Sequence, residues 1–303
     1  MHLYTHPACL LHNAGPGHPE SPSRLHAVLD ALAEERFAHI TRMQAPRATR
    51  AQLEGAHDRA LVERIHALAP AEGLVRIDAD TAMCPDSVEA ALRAAGAVCA
   101  AVDAMIDGDA TRAFCAVRPP GHHATHDTAM GFCLFNNIAV GAAHALSRGI
   151  ERVAIVDFDV HHGNGTQDIF CAQPQVLYAS THQSPLYPGT GMRNETGMGN
   201  IINAPLSPRS GSMEFRAAFE NIVLAALRVF KPQLLMISAG FDAHRLDPLA
   251  DLNLDANDYA WATRQLGEVA GEFCGGRIVS SLEGGYSLAA LRVSTAAHVA
   301  ALL

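Results

Sequence analysis

Cysteine and aromatic residues are scarce in this 303-residue sequence. Aromatic residues make up 6% of it, with a single tryptophan, and the seven cysteines are scattered and form no CxxC pair. A small secreted domain held together by disulfides typically has an even number of cysteines. The odd, scattered set found here favours reduced thiols over a disulfide scaffold.

Basic residues are also in the minority. The sequence has 22 lysine and arginine residues against 31 aspartate and glutamate residues, which gives a formal net charge of -9 with histidine neutral. Proteins that bind nucleic acids usually carry a basic face. We therefore expect no direct binding to nucleic acid.

Long apolar runs are absent. No segment reaches the roughly 18 uninterrupted apolar residues that a membrane-spanning helix needs. The start of the chain lacks the basic region and the long apolar region of a signal peptide. Together with the reduced thiols, these absences predict a cytoplasmic protein that crosses no membrane. The sequence gives no indication of the oligomeric state.

Apolar residues are nevertheless abundant, at 49% of the chain, and can form a large core. No repeat, low-complexity tract or linker divides the sequence, so we predict a single domain over residues 1–303. Short apolar runs alternate with longer helical patterns, which is typical of βαβ units. This predicts an α/β fold: one doubly wound domain with a mostly parallel central sheet and helices on both faces.

The expected elements follow from the same pattern. Buried strands are predicted over Ala113–Val117, Val153–Asp157, Val176–Ser180, Leu234–Ser238 and Arg277–Leu282. Helices are predicted over Asn137–Ser147, Glu214–Phe230, Asn257–Phe273 and Leu288–Leu302. A further helix should begin after Pro85 and run to Gly108, because Asp86 and Glu89 have the spacing of a capping pair.

Chemically active residues follow four of these strands directly. The segments are Arg118–His123, Asp157–His162, Ala239–Asp242 and Glu283–Tyr286. Ligands of open α/β sheets bind outside the carboxyl ends of the strands. The sequence therefore predicts one site at this edge, built from all four segments.

Three residues in these segments are candidate metal ligands. Asp159 and His161 are two positions apart, so their side chains point the same way from extended backbone. Asp242, after another strand, can supply a third ligand. Three protein ligands with an open position are typical of a catalytic metal site. Taken alone, each residue also fits a helix cap or a solvated loop.

Two further segments supply proton carriers. His122 and His123 follow two prolines and Gly121, and either ring can be presented from this loop. An imidazole base needs an acceptor on its other nitrogen, for which Asp157 and Asn164 are alternatives. Tyr286, after two glycines, is placed to donate a hydrogen bond to a developing oxyanion. A surface histidine pair and a packed tyrosine are the alternatives for these segments taken alone.

Together these motifs resemble the histone deacetylase superfamily, of the arginase–deacetylase fold. They are RPPGHHA (118–124), GFC (131–133), DFDVHHGNGT (157–166), YPGTG (187–191), SAGFDAHRLDPL (238–249), LEGGY (282–286) and the N-terminal HPESPSRL (18–25). The resemblance is strongest to class II enzymes and bacterial histone deacetylase-like amidohydrolases. It implies a zinc-dependent deacetylase that removes acyl groups from the side-chain amine of lysine.

The resemblance also implies roles for the catalytic residues. Zinc would be bound by Asp159, His161 and Asp242, and Tyr286 would bind the substrate carbonyl oxygen. The remaining roles concern the two histidines and their partners. His123 would be the general base and later the acid, and His122, oriented by Asp157, would be its electrostatic partner. Asn164 replaces an aspartate of class I enzymes, which favours a neutral His123.

An acyl-lysine tunnel is implied as well. Its lining would include Gly131, Phe132, Tyr187 and Leu249. Tyr187 stands where relatives often have phenylalanine and adds a hydroxyl to the tunnel wall. Leu249 stands where acetylpolyamine-specific relatives can carry glutamate, which argues against a polyamine substrate. An acidic residue elsewhere at the mouth, near Asp78 or Asp80, would restore such a preference.

The same resemblance implies a potassium ion beneath the zinc loop. Its site would lie near Asp157, Ser180 and Thr181, with a second around Phe170 and Val176. Three alternatives to an acyl-lysine deacetylase stay open. They are an acetylpolyamine amidohydrolase with the same chemistry, an arginase-like ureohydrolase with two manganese ions, and an acyl-lysine binding module with a vestigial site.

Overall fold

The structure is a computed structural model that describes all 303 residues. Its strands are β1 (His2–Thr5), β2 (Thr41–Gln44), β3 (Val75–Arg76), β4 (Ala82–Met83), β5 (Arg112–Cys115), β6 (Val153–Asp157), β7 (Val176–Gln183), β8 (Ile201–Leu206), β9 (Leu234–Ala239) and β10 (Ile278–Leu282). Its helices are α1 (Ala8–Leu11), α2 (Pro22–Ala31), α3 (Arg50–Glu54), α4 (Arg59–Ala67), α5 (Ser87–Asp107), α6 (Asn137–Ser147), α7 (Asn164–Phe170), α8 (Ser212–Ala218), α9 (Ala225–Phe230), α10 (Ala256–Phe273) and α11 (Leu288–Leu302).

Eight of the strands form one sheet in the order β2-β1-β5-β10-β9-β6-β7-β8, while β3 and β4 form a separate antiparallel pair. Every pairing within the large sheet is parallel. The predicted α/β fold with a parallel central sheet is therefore confirmed. The five predicted strands correspond to β5, β6, β7, β9 and β10, with small shifts at their ends.

Helices cover both faces of this sheet. Met236 and Ile237 are adjacent in β9 and so point to opposite faces. Gly141 of α6 packs beside Met236, which places α6 on one face. Ser280 is in register with Ile237, and its hydroxyl lies 2.8 Å from the ring of His298 in α11, which covers the other face. One hydrophobic core of 81 buried residues joins the sheet to the helices on its two faces.

The helix predicted over Glu214–Phe230 is not continuous. A π-helical stretch, Phe219–Leu224, separates α8 from α9. Phe215 and Phe219 both pack against Trp261 of α10, with ring centroids 6.3 Å and 5.8 Å away. The wider π-helical turn begins at one of these two aromatic residues, where the helix packs on α10.

The predicted capping pair at the start of α5 does not form either. Asp86 has helical backbone angles and makes no capping hydrogen bond. The hydroxyl of Ser87 instead accepts from the backbone N–H of Cys84 at 2.8 Å, while Glu89 pairs with Arg93 one turn later, also at 2.8 Å. The helix nevertheless begins within the predicted segment. None of the helices is both long and apolar enough to cross a lipid bilayer.

Candidate active site

The segments that follow β5, β6, β9 and β10 meet at the carboxyl edge of the sheet, because these four strands are neighbours within it. A cavity of about 230 Å³ opens above them. Its lining consists of Asp80, His123, Gly131, Phe132, His161, Leu186, Tyr187, Leu249 and Tyr286. Leu186 has no counterpart among the predicted site residues. It precedes the YPGTG motif and carries no chemical signal of its own.

Asp159, His161 and Asp242 form a compact buried cluster whose ligand atoms all lie within 4.8 Å of one another. Nδ1 of His161 is 3.1 Å from Oδ1 of Asp159 and 3.1 Å from Oδ2 of Asp242. The two carboxylates come from neighbouring strands, since β6 and β9 pair in the sheet. The three candidate metal ligands are thus brought together.

Backbone amides orient the two carboxylates. Oδ2 of Asp159 accepts from the N–H of Gly284 at 2.8 Å, and Oδ1 of Asp242 accepts from the N–H of Val160 at 2.9 Å. A Cβ atom added to Gly284 or Gly240 would overlap with a carboxylate of the cluster. Glycine is therefore required at both positions, which lets the backbone approach the cluster closely.

The charge of this cluster fits a divalent cation. Its ion-pair partners are histidines only, and no lysine or arginine contacts it. Burial and the carboxylate of Asp159 raise the pKa of Asp242 to about 7. Burial opposes protonation of His161, but its hydrogen bonds with both carboxylates raise its pKa to about 10. Two carboxylates and one imidazole that attract positive charge in this way fit a catalytic metal such as Zn²⁺.

His123 lines the cavity and is held by Asn164. Its Nδ1 lies 2.8 Å from Oδ1 of the asparagine. An amide oxygen can only accept, so this contact assigns the hydrogen to Nδ1 and leaves a lone pair on Nε2. Burial lowers the pKa of His123 well below its usual value, and the charges of His122 and His161 lower it further. The ring is therefore neutral, the form that accepts a proton.

His122 differs from its neighbour in charge. The two rings lie 4.1 Å apart, and Nδ1 of His122 donates to Oδ2 of Asp157 at 3.0 Å. Burial alone would lower the pKa of His122, but the carboxylates of Asp159 and Asp157 raise it to about 10. Of the two acceptors that the sequence left open, Asp157 contacts His122 and Asn164 contacts His123.

No role was predicted for Glu283, although it is the first residue of the predicted site segment after β10. Its Oε2 accepts from the backbone N–H groups of Gly121 and His122, at 2.7 Å and 3.1 Å. Burial raises the pKa of Glu283 to about 7 despite the nearby cationic ring. The carboxyl group thus fixes the loop that carries both histidines. Its place between a strand and two glycines was the only signal in the sequence.

The loop after β10 presents Tyr286 to the cavity and is fixed from two sides. Nε of Arg24 donates to the carbonyl of Gly285 at 2.7 Å, and its guanidinium lies 4.8 Å from the Tyr286 ring centre. Oδ2 of Asp247 accepts from the N–H of Tyr286 at 2.7 Å. Burial raises the pKa of the phenol well above its usual value, so it remains a hydrogen-bond donor. Arg24 and Asp247 lie in recognised motifs, but their contacts were not predicted.

The walls of the cavity include the predicted tunnel residues. The Tyr187 ring lies edge-on to His123, with centroids 5.1 Å apart, and Phe132 lines the cavity as well. Gly131 has φ +57°, and a Cβ atom there would lie 2.6 Å from the His123 ring. Glycine is therefore needed next to the aromatic wall. Leu249 also lines the cavity.

A carboxylate shares the cavity with these apolar residues. Asp80 lines it together with Leu249, and Asp78 lies two residues earlier in the same turn. Burial raises the pKa of Asp80, and the neighbouring Asp78 adds to this shift. The cavity lining thus carries the kind of acidic group that the sequence offered only as an alternative.

Two of the three residues predicted to bind potassium form hydrogen bonds with other side chains. Oδ2 of Asp157 accepts from the Tyr178 hydroxyl at 3.0 Å, and Oγ of Ser180 lies 2.9 Å from Nδ1 of His182. The hydroxyl of Thr181 is buried without a hydrogen-bond partner. Binding of a monovalent ion in this region stays a prediction.

The comparison with protein families agrees with this geometry. The family model described as "Histone deacetylase domain" matches residues 18–302. The chain belongs to the histone deacetylase family. Histone deacetylase 14, chloroplastic, of Arabidopsis thaliana is 39% identical over 99% of this chain and 76% of its own length. The Histone deacetylase-like amidohydrolase of Pseudomonas aeruginosa is 39% identical over 92% of this chain and 80% of its own length.

Among solved structures, the HDA15 HD domain matches with a TM-score of 0.93 at 36% identity. The match covers 100% of this chain and 90% of that one. The fold predicted from the resemblance is thus the observed one. Membership of the histone deacetylase family supports a hydrolase that acts on an acylated substrate, and the family is generally zinc-dependent. The buried Asp–His–Asp cluster could hold such a metal.

Proposed function

We propose that this histone deacetylase family member is a zinc-dependent hydrolase that removes acetyl or other acyl groups from the side-chain amine of lysine. One observation carries the proposal. A metal-binding cluster, a neutral imidazole and a protonated phenol reach the same cavity through His161, His123 and Tyr286. These are the groups that hydrolysis of an amide requires: an electrophilic centre, a base and an oxyanion donor.

A zinc ion held by Asp159, His161 and Asp242 would polarise the amide carbonyl and lower the pKa of a water molecule. His123 receives the proton of the attacking water on Nε2, because Nδ1 is engaged by Asn164. His123 must then protonate the leaving amine, since an amide nitrogen does not depart as an anion.

Tyr286 acts on the carbonyl oxygen. Its phenol, kept protonated by burial, donates a hydrogen bond to this oxygen as negative charge develops on it. The cationic His122 lies beside His123 and opposes its protonation, so the proton is passed on readily to the amine. Free amine and carboxylate are the products.

The apolar walls favour lysine as the acylated amine. Phe132 and Tyr187 suit the aliphatic stem of an acyl-lysine side chain. A polyamine carries further ammonium groups, which need a carboxylate partner once they lose water. Asp80 is the one carboxylate of the cavity lining outside the metal cluster, and it supports an acetylpolyamine as the alternative substrate. Leu249, an apolar residue of the same lining, supports an acyl-lysine peptide as the substrate.

A ureohydrolase and a binding module have less support. A ureohydrolase with two manganese ions would need a second cluster of ligands, and one group of three is found. A binding module would have no use for a buried neutral base next to a metal cluster.

We also propose that a potassium ion binds near Asp157, Ser180 and Thr181. The Thr181 hydroxyl, which is buried without a hydrogen-bond partner, supports this site. A cytoplasmic location is supported by seven free cysteines.

Side-by-side hydrolysis of acyl-lysine peptides and acetylated polyamines tests this function. We expect the protein to hydrolyse both substrates, with the larger kcat/KM for the peptides. Chelation of the metal should abolish turnover. Zinc added back should restore activity. A protein that binds acyl-lysine without turnover would instead be a binding module. A protein that prefers acetylspermidine would be a polyamine deacetylase.

A further inference from the structure

The wall formed by Phe132 depends on an unusual backbone conformation. Phe132 has φ +69° and is one of three non-glycine residues with positive φ. Residues other than glycine avoid this left-handed region because their Cβ atom crowds the following carbonyl. Gly131 before it is also left-handed, at φ +57°. Such a corner persists only where the surrounding structure holds it in place.

Thr81 holds this corner through its hydroxyl. Oγ1 of Thr81 accepts from the backbone N–H of Phe132 at 3.0 Å and donates to Oδ1 of Asp80 at 2.9 Å. A single hydroxyl can make both bonds at once. The residue is 1% exposed, so water cannot replace it. Its own backbone N–H donates to Oδ1 of Asp78 at 2.7 Å.

His18 supports the same corner from the N-terminal loop. Its Nε2 donates to the backbone carbonyl of Asp80 at 2.9 Å. Its ring lies edge-on to the ring of Phe132, with centroids 4.7 Å apart. Three segments that are distant in sequence thus meet at this corner, and the Thr81 hydroxyl is the only side-chain group that bonds both the backbone N–H of Phe132 and the Asp80 carboxylate.

We propose that Thr81 is a positioning residue whose hydroxyl links the backbone of Phe132, in the tunnel wall, to the Asp80 carboxylate of the same cavity lining. This inference rests on the proposed function, because wall and carboxylate matter only if the cavity takes an acylated amine. Thr81 is absent from the cavity lining and touches no reacting atom. It therefore governs how tightly the substrate is held, and the chemical step is left to His123 and Tyr286.

Thr81→Val tests this directly, because it keeps the shape and removes the hydroxyl. We expect KM for an acyl-lysine peptide to rise about fivefold or more, with kcat within about twofold of wild type. Thr81→Ser keeps the hydroxyl and should return KM to within about twofold of wild type. A loss of kcat at unchanged KM, or a serine variant that behaves like valine, would overturn the proposal.

A matched control is Thr263→Val. The Thr263 hydroxyl is also buried and donates to the carbonyl of Tyr259 at 2.6 Å, but it lies in α10 away from the cavity. This variant should lower Tm and leave KM unchanged. If Thr81→Val does not fold, Thr81→Ala removes the same hydroxyl and should show the same rise in KM. An inactive wild-type enzyme would refute the proposed function, whereas active Thr81→Val with wild-type KM would refute this inference alone.

Discussion

Asn164 and His123 form an uncharged hydrogen-bonded pair beside the cavity, with 2.8 Å between Oδ1 and Nδ1. The amide fixes the tautomer of the ring but supplies no charge to stabilise an imidazolium. Burial and the cationic neighbour His122 already lower the pKa of His123. The ring is therefore neutral, the form in which the proposed base can accept a proton.

Asn164→Asp should change the pH dependence of the reaction. A carboxylate next to Nδ1 favours the imidazolium, and an opposite charge this close typically shifts a pKa by about 1–3 units. The pKa of His123 rises, so the neutral base is lost at a higher pH. We expect the acidic limb of the kcat/KM profile to move upward in pH, with smaller differences from wild type on the alkaline side. An acidic limb that stayed in place or moved downward would refute the role of this pair.

His123→Ala should separate proton transfer from metal binding. The variant loses the proposed proton carrier but none of the proposed metal ligands, so bound zinc should stay at the wild-type level while turnover falls about 10²–10⁴-fold. Metal analysis and turnover on the same sample measure both. His122→Ala is the matched comparison, since it removes the neighbouring ring. If His122→Ala were much the more damaging of the two, the roles of the histidines would be reversed.

Tyr286→Phe should lower kcat more than it raises KM, because in the proposed mechanism the phenol bonds the carbonyl oxygen mainly in the transition state. Oxyanion donors are worth about 2.7–4 kcal/mol, or about 10²–10³ in kcat. Tyr259→Phe is a suitable control, since it removes a buried hydroxyl that has no hydrogen-bond partner. A Tyr286→Phe enzyme with nearly normal kcat would make Tyr286 a packing residue.

Leu249→Glu should shift substrate choice toward acetylated polyamines. A carboxylate at this point of the cavity lining can pair with the distal ammonium of a polyamine. We expect the ratio of kcat/KM for peptide over polyamine to fall or invert. Leu246→Glu adds the same charge to an exposed residue outside the lining and should leave the ratio unchanged. An unchanged ratio in Leu249→Glu would show that the distal ammonium of the polyamine does not bind near this position.

The sequence predicted the centre of the fold better than its margins. Strands β6 and β9 are buried along their whole length and read as apolar runs, so both were expected. Strand β2 is exposed throughout and has no apolar run to find. Strand β8 contains Pro205, which an edge strand tolerates but which argues against a strand in the sequence. The short helices before α5 were missed because four- to ten-residue segments carry little periodicity.

The residues of the candidate site also divide into those that a local sequence pattern indicates and those that it does not. Asp159, His161 and Asp242 stand directly after strands, where residue type and spacing indicate their chemistry. Arg24 and Thr81 act on residues that are far away in sequence and touch no reacting atom. Their contacts are set by how loops meet at the sheet edge, and no local pattern records that.

The proposed reaction requires one metal ion, held by Asp159, His161 and Asp242. The most direct measurement is the zinc content and turnover of Asp242→Ala beside Asp251→Ala, which removes an exposed carboxylate later in the chain and outside the metal cluster. We expect folded Asp242→Ala protein without bound zinc or activity, and an Asp251→Ala control with both. Stoichiometric zinc or near-normal turnover in Asp242→Ala would contradict the account.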